Sequence, residues 1–308
     1  MAKIKRLLAG LAIVALVTAL AVAGCSKAPE AQDDGKTKVA VLFPGVVYDQ
    51  SWCQQGYEGL IRARDELGVE IAYTEKVHQS EQIEIMRNYA KQGYDIIIGH
   101  GGEYMDACET VAKEYPNVQF VCTNGKRAGG NVTSIGLNYF DMGYLAGIMA
   151  GKMTKTNKIA MLVGEPIQIS IMGMDGYEMG AKAVNPNVEV TRVETGSWED
   201  VNIAREACLA LIDNGVDVLY HVLDAADVGL YTAAQDRGVM AIGLYKDVES
   251  VAPKAIIGST LGSPAKLIYD ACSGALLNGK VNWIGAVDPE VVNYVITDDN
   301  VPQEVKDL

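Results

Sequence analysis

Two tryptophans with acidic neighbours are the residues of this sequence best suited to hold a small molecule. The chain has only three tryptophans; Trp52 ends the segment Tyr48-Asp49-Gln50-Ser51-Trp52, and Trp198 lies in Ser197-Trp198-Glu199-Asp200. A flat ligand could be clamped between the two indole rings, with carboxylates and amides at its edge. Two alternatives stay open at this point. The indoles could serve only for packing, and Asp49 and Asp200 could be helix caps, since Asp is a common N-cap residue.

The sequence contains no pattern typical of a catalytic or metal centre. Its three histidines, His78, His100 and His221, have spacings that match no zinc site. The glycine-rich segment from Gly99 to Gly102 matches neither of the common nucleotide-phosphate motifs, and no nucleophile elbow occurs. We therefore expect no enzyme, no metal and no cofactor. His100 and His221 could line a cleft, although a neutral histidine with satisfied hydrogen bonds is the commoner outcome.

The first residues have the layout of a secretory leader. Lys3, Lys5 and Arg6 precede an apolar run over 7–23, which ends in Val22-Ala23-Gly24-Cys25. Small residues followed by a cysteine match the bacterial lipobox, so we expect a lipoprotein signal peptide over 1–24, diacylglycerol on the Cys25 sulfur, and a tether over 25–37. The alternatives are an ordinary signal peptide or a membrane helix, although a membrane helix needs about 20 apolar residues. The prediction is an extracytoplasmic protein anchored to the cell membrane.

The length, net charge and cysteine content limit the number of domains and the kinds of partner that we expect for the mature protein. About 280 residues remain after the leader, which suggests two domains. The formal net charge is −13 and no basic cluster occurs, so nucleic-acid polymers are not expected as partners. The cysteines after Cys25 are odd in number and widely spaced, so a disulfide framework is not expected; a Cys108–Cys122 bridge is the alternative. We expect a monomer.

The rest of the chain alternates between strand and helix patterns. Strand-length apolar runs cover Lys38–Pro44, Glu70–Thr74, Tyr94–Gly99, Val118–Thr123, Val132–Leu137, Lys158–Gly164, Val188–Glu194, Val216–Leu223, Val239–Leu244 and Ala255–Thr260. Helical spacing covers Gln55–Leu67, Glu81–Gln92, Tyr104–Glu114, Met142–Met153, Asn202–Asn214 and Asp227–Arg237. This alternation predicts the α/β class, with two doubly wound parallel-sheet lobes joined by a hinge. The expected lobes are 38–137 plus about 263–283, and 138–262 plus about 284–308.

Parallel sheets bind ligands beyond the carboxyl ends of their strands, so the residues that follow each strand are the candidate site. In a two-lobed protein these ends face a shared cleft. The residues that we expect to bind the ligand there are Asp49, Trp52, Tyr104, Asn124, Tyr139, Trp198, Asp200, Asp224, Tyr245 and Asp247.

Four motifs resemble those of the basic membrane protein family. Asp49 to Trp52 followed by Gly56-Tyr57-Glu58-Gly59 is similar to the family's Asp-x-Ser-Phe-Asn…Glu-Gly opening, and Tyr144 to Gly147 to its Tyr-Leu-Ala-Gly helix. Gly196 to Asp200 resembles Gly-Ser-Phe-x-Asp, and Gly243 to Asp247 resembles Gly-Val-Asp-Ser-Asp. The resemblance implies a type I periplasmic-binding fold and a lipoprotein that delivers purine nucleosides to an ABC permease. It also implies that Trp52 and Trp198 replace the two phenylalanines that stack on the purine, and that Asp49 bonds the base.

Two departures from the family pattern concern the sugar. The Asp that holds ribose hydroxyls is Tyr245 here, and the later Ser-x-x-Lys reads Ser259-Thr260-Leu261-Gly262, without the lysine that also reaches the ribose. Other segments, such as Val184-Asn185-Pro186, are closer to the subgroup associated with adenine. We therefore favour a purine nucleobase, with adenine first, over a nucleoside. A nucleoside binder and a ligand sensor that docks on a membrane receptor remain alternatives. Sugar and amino-acid ligands are disfavoured, because arginine is nearly absent from the strand ends, Arg127 being the closest.

Overall fold

Five strands from the first half of the chain and one from near its end form a six-stranded parallel sheet. The computed structural model describes residues 35–49, 51–297 and 301–306. The sheet has the order β11-β5-β4-β3-β1-β2. Its strands are β1 (Lys38–Leu42), β2 (Glu70–Thr74), β3 (Ile96–Gly99), β4 (Gln119–Thr123), β5 (Val132–Leu137) and β11 (Val281–Ile284). The central strands are almost continuously apolar and buried, as expected for strands that are covered on both faces.

The second half repeats this arrangement. A second six-stranded sheet has the order β12-β10-β9-β8-β6-β7, and all its neighbouring strands are parallel except the antiparallel edge pair β10–β12. Its strands are β6 (Lys158–Val163), β7 (Glu189–Glu194), β8 (Val218–Val222), β9 (Met240–Tyr245), β10 (Ile256–Gly262) and β12 (Val292–Ile296). We call each sheet, together with the helices that pack on it, a lobe.

Helices cover both faces of each sheet. They are α1 (Trp52–Leu67), α2 (Gln82–Lys91), α3 (Met105–Glu114), α4 (Tyr139–Met153), α5 (Gln168–Val184), α6 (Val201–Asp213), α7 (Asp227–Arg237), α8 (Pro264–Cys272) and α9 (Gln303–Lys306). In the first lobe α1 packs beside α8, and in the second lobe α4 packs beside α5 and α6 beside α7. The chain passes between the sheets three times: after β5, after β10 and after β11.

The predicted fold class is confirmed, and the predicted elements are present. Each predicted strand agrees with an observed one to within two residues at either end, and each predicted helix to within three. The helices and strands that the sequence analysis did not predict are α5, α8, α9, β11 and β12. Helix α5 was missed because its glycines break the apolar spacing.

Those glycines have a packing role between α4 and α5. A Cβ atom at Gly143 or Gly147 of α4, or at Gly176 or Gly180 of α5, would overlap a carbonyl oxygen of the facing helix. The two backbones are therefore in direct contact, which only residues without a side chain permit. The cost in helix propensity is offset by this close packing against the second sheet.

The described residues include five cysteines, at 53, 108, 122, 208 and 272, and all five are buried with free thiols. None of the helices in the described ranges is long and apolar enough to span a bilayer. The predicted signal peptide, the lipidation site Cys25 and most of the tether lie outside the described residues.

Candidate functional site

A cavity of about 750 Å³ opens between the carboxyl ends of the two sheets. The first lobe contributes the segments that follow β1, β3 and β4, and the second lobe those that follow β6, β7, β8 and β9. Seven of the predicted site residues line this one cavity: Asp49, Trp52, Asn124, Tyr139, Trp198, Asp224 and Tyr245. Strand order therefore brings together side chains that are up to about 200 positions apart in the chain.

Trp52 is the first residue of α1, and the residue is only 8% exposed. The indole stacks on the imidazole of His100, with ring centroids 4.3 Å apart and an interplanar angle of 7°. Its Nε1–H donates to the carbonyl oxygen of His100 at 3.2 Å. On another side the indole meets Tyr245, with centroids 6.2 Å apart. Because His100 covers one face of the indole, the cavity meets Trp52 from the other face.

Trp198 belongs to the loop between β7 and α6 and is half-buried. Its carbonyl oxygen accepts hydrogen bonds from the backbone N–H groups of Asp224 and Ala226, both at 3.1 Å. A Cβ atom at Gly164 would overlap the fused-ring atoms of the indole, so this glycine lets the ring lie flat on the backbone after β6. Trp198 is thus also supported on one face and open to the cavity on the other.

Asp49 performs the capping function that the sequence left as an alternative. Its Oδ1 accepts from the backbone N–H of Ser51 at 2.9 Å and of Gln54 at 3.0 Å, and its Oδ2 accepts from that of Cys53 at 3.0 Å. The carboxylate therefore caps α1 and lines the cavity at once. Since a carboxylate offers about four acceptor positions, one remains for a ligand.

The other three predicted residues lie away from the cavity. Asp200 is exposed and caps α6, with Oδ1 accepting from the backbone N–H of Asn202 at 2.9 Å and of Ile203 at 3.1 Å. Asp247 is exposed and accepts from the backbone N–H of Glu249 at 3.0 Å. Tyr104 is fully buried in the core between the first sheet and its helices.

Asn124 lines the cavity, but its side-chain oxygen is buried against Gly136. It is 9% exposed, and its Oδ1 has no hydrogen-bond partner among the described residues. Its φ of 53° lies in the left-handed region, which Asn tolerates better than most residues. A buried carbonyl oxygen without a partner costs about 1–3 kcal/mol.

A pair of tyrosines closes one end of the cavity. The hydroxyls of Tyr139 and Tyr245 share a hydrogen bond with an O–O distance of 2.7 Å, and both rings are nearly fully buried. Tyr245 has a φ of 68°, an uncommon value for a bulky residue. Gly262 makes room for this ring: a Cβ there would lie 2.8 Å from Cε of Met142 and 3.2 Å from Cδ1 of Tyr245.

The cavity is strongly acidic. The carboxylates that line it are Asp49, Glu103, Glu165, Glu199 and Asp224, and Lys126 is the one cationic side chain that the described residues add to the lining. Burial, followed by the negative charge of Asp49 and of other nearby carboxylates, raises the pKa of Asp224 to about 7. Such a site attracts hydrogen-bond donors and repels anions.

The two strand-end histidines are fully buried, and neither lines the cavity. Burial lowers the pKa of His100 to about 4 and that of His221 to about 3, so both are neutral at pH 7. The Nδ1 atom of His221 accepts from the backbone N–H of Leu223 at 3.2 Å, so Nε2 carries the proton and donates to the Tyr231 hydroxyl at 2.6 Å. His221 thereby fixes the turn that carries Asp224.

The expected ligand-binding residues leave out seven polar residues of the lining: Cys53, Glu103, Lys126, Glu165, Gln168, Ser197 and Glu199. Cys53 follows Trp52 directly, and that adjacency was a usable signal. Lys126 comes two residues after Asn124, at the end of β4. Gln168 begins α5, the helix that was not predicted.

Two six-stranded α/β lobes with a cleft at their strand ends define the class of solute-binding proteins. Residues 36–306 match the family model described as Bmp, ABC transporter substrate-binding protein PnrA-like. The chain belongs to this family, which confirms the resemblance found in the sequence. Its members are not enzymes; they act outside the cytoplasm, bind small molecules and work with a membrane permease.

Individual relatives agree with this assignment. The transcriptional activator protein med of Bacillus subtilis is 31% identical over 244 residues, which are 79% of this chain and 75% of that protein. A purine-binding protein of Brucella abortus is 27% identical over 303 residues, which are 96% of this chain and 84% of that protein. A solute-binding protein of an ABC transporter system from Aeropyrum pernix K1 has the same fold, with a TM-score of 0.75 at 24% identity; the match covers 86% of this chain and 77% of that one.

Proposed function

We propose that this protein captures a purine nucleobase, with adenine favoured, in the cleft between Trp52 and Trp198 and delivers it to an ABC permease. The observation that carries the proposal is the pair of indoles, one from each lobe, that line one cavity and are each supported on one face. The cavity volume of about 750 Å³ is within the usual range of small-molecule sites. A planar ligand between the rings would hold the two lobes together.

The polar groups of the cavity suit a ligand that donates hydrogen bonds. The Asp224 carboxylate and the remaining acceptor position of Asp49 would each accept an N–H. Adenine has a ring N–H and an exocyclic amine at its edge. Because the indoles would stack on its two faces, this edge would stay free to donate hydrogen bonds. The excess of carboxylates disfavours nucleotides, because their phosphates would be repelled.

The tyrosine pair favours a free base over a nucleoside. Tyr245 stands where the family's ribose-binding Asp would be, and its bond to Tyr139 fills that end of the cavity with two rings. The purine-binding relative from Brucella abortus supports a purine as the ligand. The alternative function is ligand sensing. It is compatible with the name of the Bacillus subtilis relative, a transcriptional activator. The absence of a permease gene next to the gene of this protein would favour sensing over transport.

The remaining sequence expectations form part of the same proposal. We propose that Cys25 carries the lipid anchor, that the protein is a monomer, and that the lobes extend over 38–137 plus about 263–283 and 138–262 plus about 284–308. The three crossings between the sheets would then act as the hinge.

The test is to identify and measure the ligand. Native mass spectrometry of protein purified without denaturation should show a bound purine base, and calorimetry should rank adenine above its nucleoside. For variants of Trp52 and Trp198, Trp283→Phe is the matched control, because Trp283 lies on β11 outside the cavity lining. A nucleoside at least tenfold tighter than every base would establish the nucleoside alternative. A retained sugar, with no purine binding, would refute the proposal.

A further inference from the structure

His100 is in close contact with the indole of Trp52, although it does not line the cavity itself. It follows β3 directly, is fully buried, and lies outside the cavity lining. Its imidazole is nearly parallel to the Trp52 indole at a centroid distance of 4.3 Å, which is stacking contact. The imidazole therefore forms a layer behind the indole, on the side away from the cavity.

The hydrogen bonds of the imidazole fix its protonation and its rotation. Nε2 lies 3.0 Å from the carbonyl oxygen of Trp52, and a carbonyl only accepts, so Nε2 carries the proton. Nδ1 is then the acceptor for the Thr123 hydroxyl at 3.3 Å. Both bonds lie in the ring plane and prevent the ring from turning. Burial lowers the pKa of His100 to about 4, so this neutral form persists at neutral pH.

Phe43 and Gly56 pack around the imidazole of His100. The edge of His100 meets Phe43 at a centroid distance of 5.4 Å and an interplanar angle of 74°. Gly56, one turn into α1, leaves the space that the ring needs, since a Cβ there would lie 2.5 Å from Nε2. A phenylalanine would fill the same volume but would lack both in-plane bonds.

Trp52 and His100 are joined reciprocally. The Nε2–H of His100 donates to the backbone carbonyl of Trp52, and the Nε1–H of Trp52 donates to the backbone carbonyl of His100 at 3.2 Å. With the ring stacking, three contacts therefore restrain the indole at both its backbone and its side-chain end. Such restraint removes the loss of side-chain freedom that ligand binding would otherwise impose.

We propose that His100 is a positioning residue: it strengthens ligand binding through Trp52, by holding the indole in the orientation that a flat ligand stacks on. The inference rests on the proposed function for the stacking step. The complete site would then be a stack of imidazole, indole, ligand and second indole, ending on the backbone at Gly164.

A double-mutant cycle with adenine as the probe tests the proposal. His100→Ala should weaken adenine binding by about 2- to 13-fold, the cost of immobilising one side chain again. In the Trp52→Ala background the same change should have an effect of less than about twofold, because the residue through which His100 acts is gone. His78→Ala is the control, since His78 is exposed. His100→Phe, which retains a ring, should fold if the alanine variant does not and should lose less affinity.

The outcome that would overturn the proposal is additivity. If His100→Ala weakened binding equally with and without Trp52, or lowered only the melting temperature, His100 would be a structural residue and no more. Both affinity and melting temperature should therefore be measured on the same preparations.

A second readout needs no ligand. Trp198→Phe together with Trp283→Phe leaves Trp52 as the only tryptophan of the chain. In this background, time-resolved fluorescence anisotropy should show a rigid indole, and His100→Phe or His100→Ala should add fast local motion. Unchanged anisotropy would refute the positioning role. If adenine does not bind the unmodified protein at all, the proposed function fails while this measurement still decides the role of His100.

Discussion

The affinity for adenine should fall as the pH is lowered from 8 to 6, because of Asp224. Its pKa of about 7 is raised first by burial and then by the charges of Asp49, Asp227, Glu199 and Glu103. A ligand N–H bonds the carboxylate form and lowers this pKa, so binding requires loss of the proton. Acidification through pH 7 therefore favours the unliganded protein, and affinity decreases in that direction.

The magnitude follows from the pKa. Asp224 is about nine-tenths ionised at pH 8 and about one-tenth ionised at pH 6, so the dissociation constant should rise about tenfold between these values. Adenine does not change its charge in this window. His100 and His221 do not either, because their pKa values are about 4 and about 3. Burial raises the pKa of Asp227 to about 7 as well, but Asp227 lies outside the cavity lining, so we expect protonation of Asp224 to be the main cause of the pH dependence of binding.

Titration calorimetry at pH 8, 7 and 6 measures the effect, and Asp224→Asn is the decisive variant. It should bind more weakly at pH 8 and should lose the pH dependence, since an amide does not titrate. Asp227→Asn is the matched control: burial raises the pKa of Asp227 to about 7 as well, but Asp227 does not line the cavity. A flat profile in the unmodified protein, or a tenfold slope that persists in Asp224→Asn, would show that Asp224 does not accept from the ligand.

Three further predictions concern the clamp, the sugar and the anchor. Trp52→Ala and Trp198→Ala should each weaken adenine binding by about 5- to 150-fold in calorimetry, because stacking of a base is worth about 1–3 kcal/mol; a lower melting temperature with unchanged affinity would instead mean packing only. Tyr245→Ala should raise the affinity for adenosine relative to adenine by opening the closed end of the cavity, and an unchanged ratio would argue against a steric role. Cys25→Ala should abolish partitioning into the detergent phase, and a variant that still partitions there would exclude the lipobox interpretation.

The sequence predicted the order of elements well because each strand and helix is a local pattern. Those patterns also placed Trp52 and Trp198 at strand-to-helix joints, which agrees with the structure. The direction of a side chain after a strand is not a local property, however. Asp200 and Asp247 also follow strands, yet their carboxylates bond backbone N–H groups of their own segments and stay outside the cavity. Tyr104 ends a short 3₁₀ turn, and its side chain is buried in the core.

Tyr245 and Gly262, the two departures from the family's sugar-binding pattern, lie next to each other in the structure. An Asp replaced by a Tyr adds a ring, and that ring needs space that the shorter side chain did not occupy. In the structure the space comes partly from position 262, where any side chain would crowd Tyr245 and Met142. A lysine restored at 262 would therefore have to push aside the end of the Met142 side chain and shift the Tyr245 ring by a few tenths of an ångström. The hydroxyl bond to Tyr139 then holds the new ring in place. For this reason the preference for a base over a nucleoside should depend on the packing of both positions, and no single substitution at 262 should convert the site.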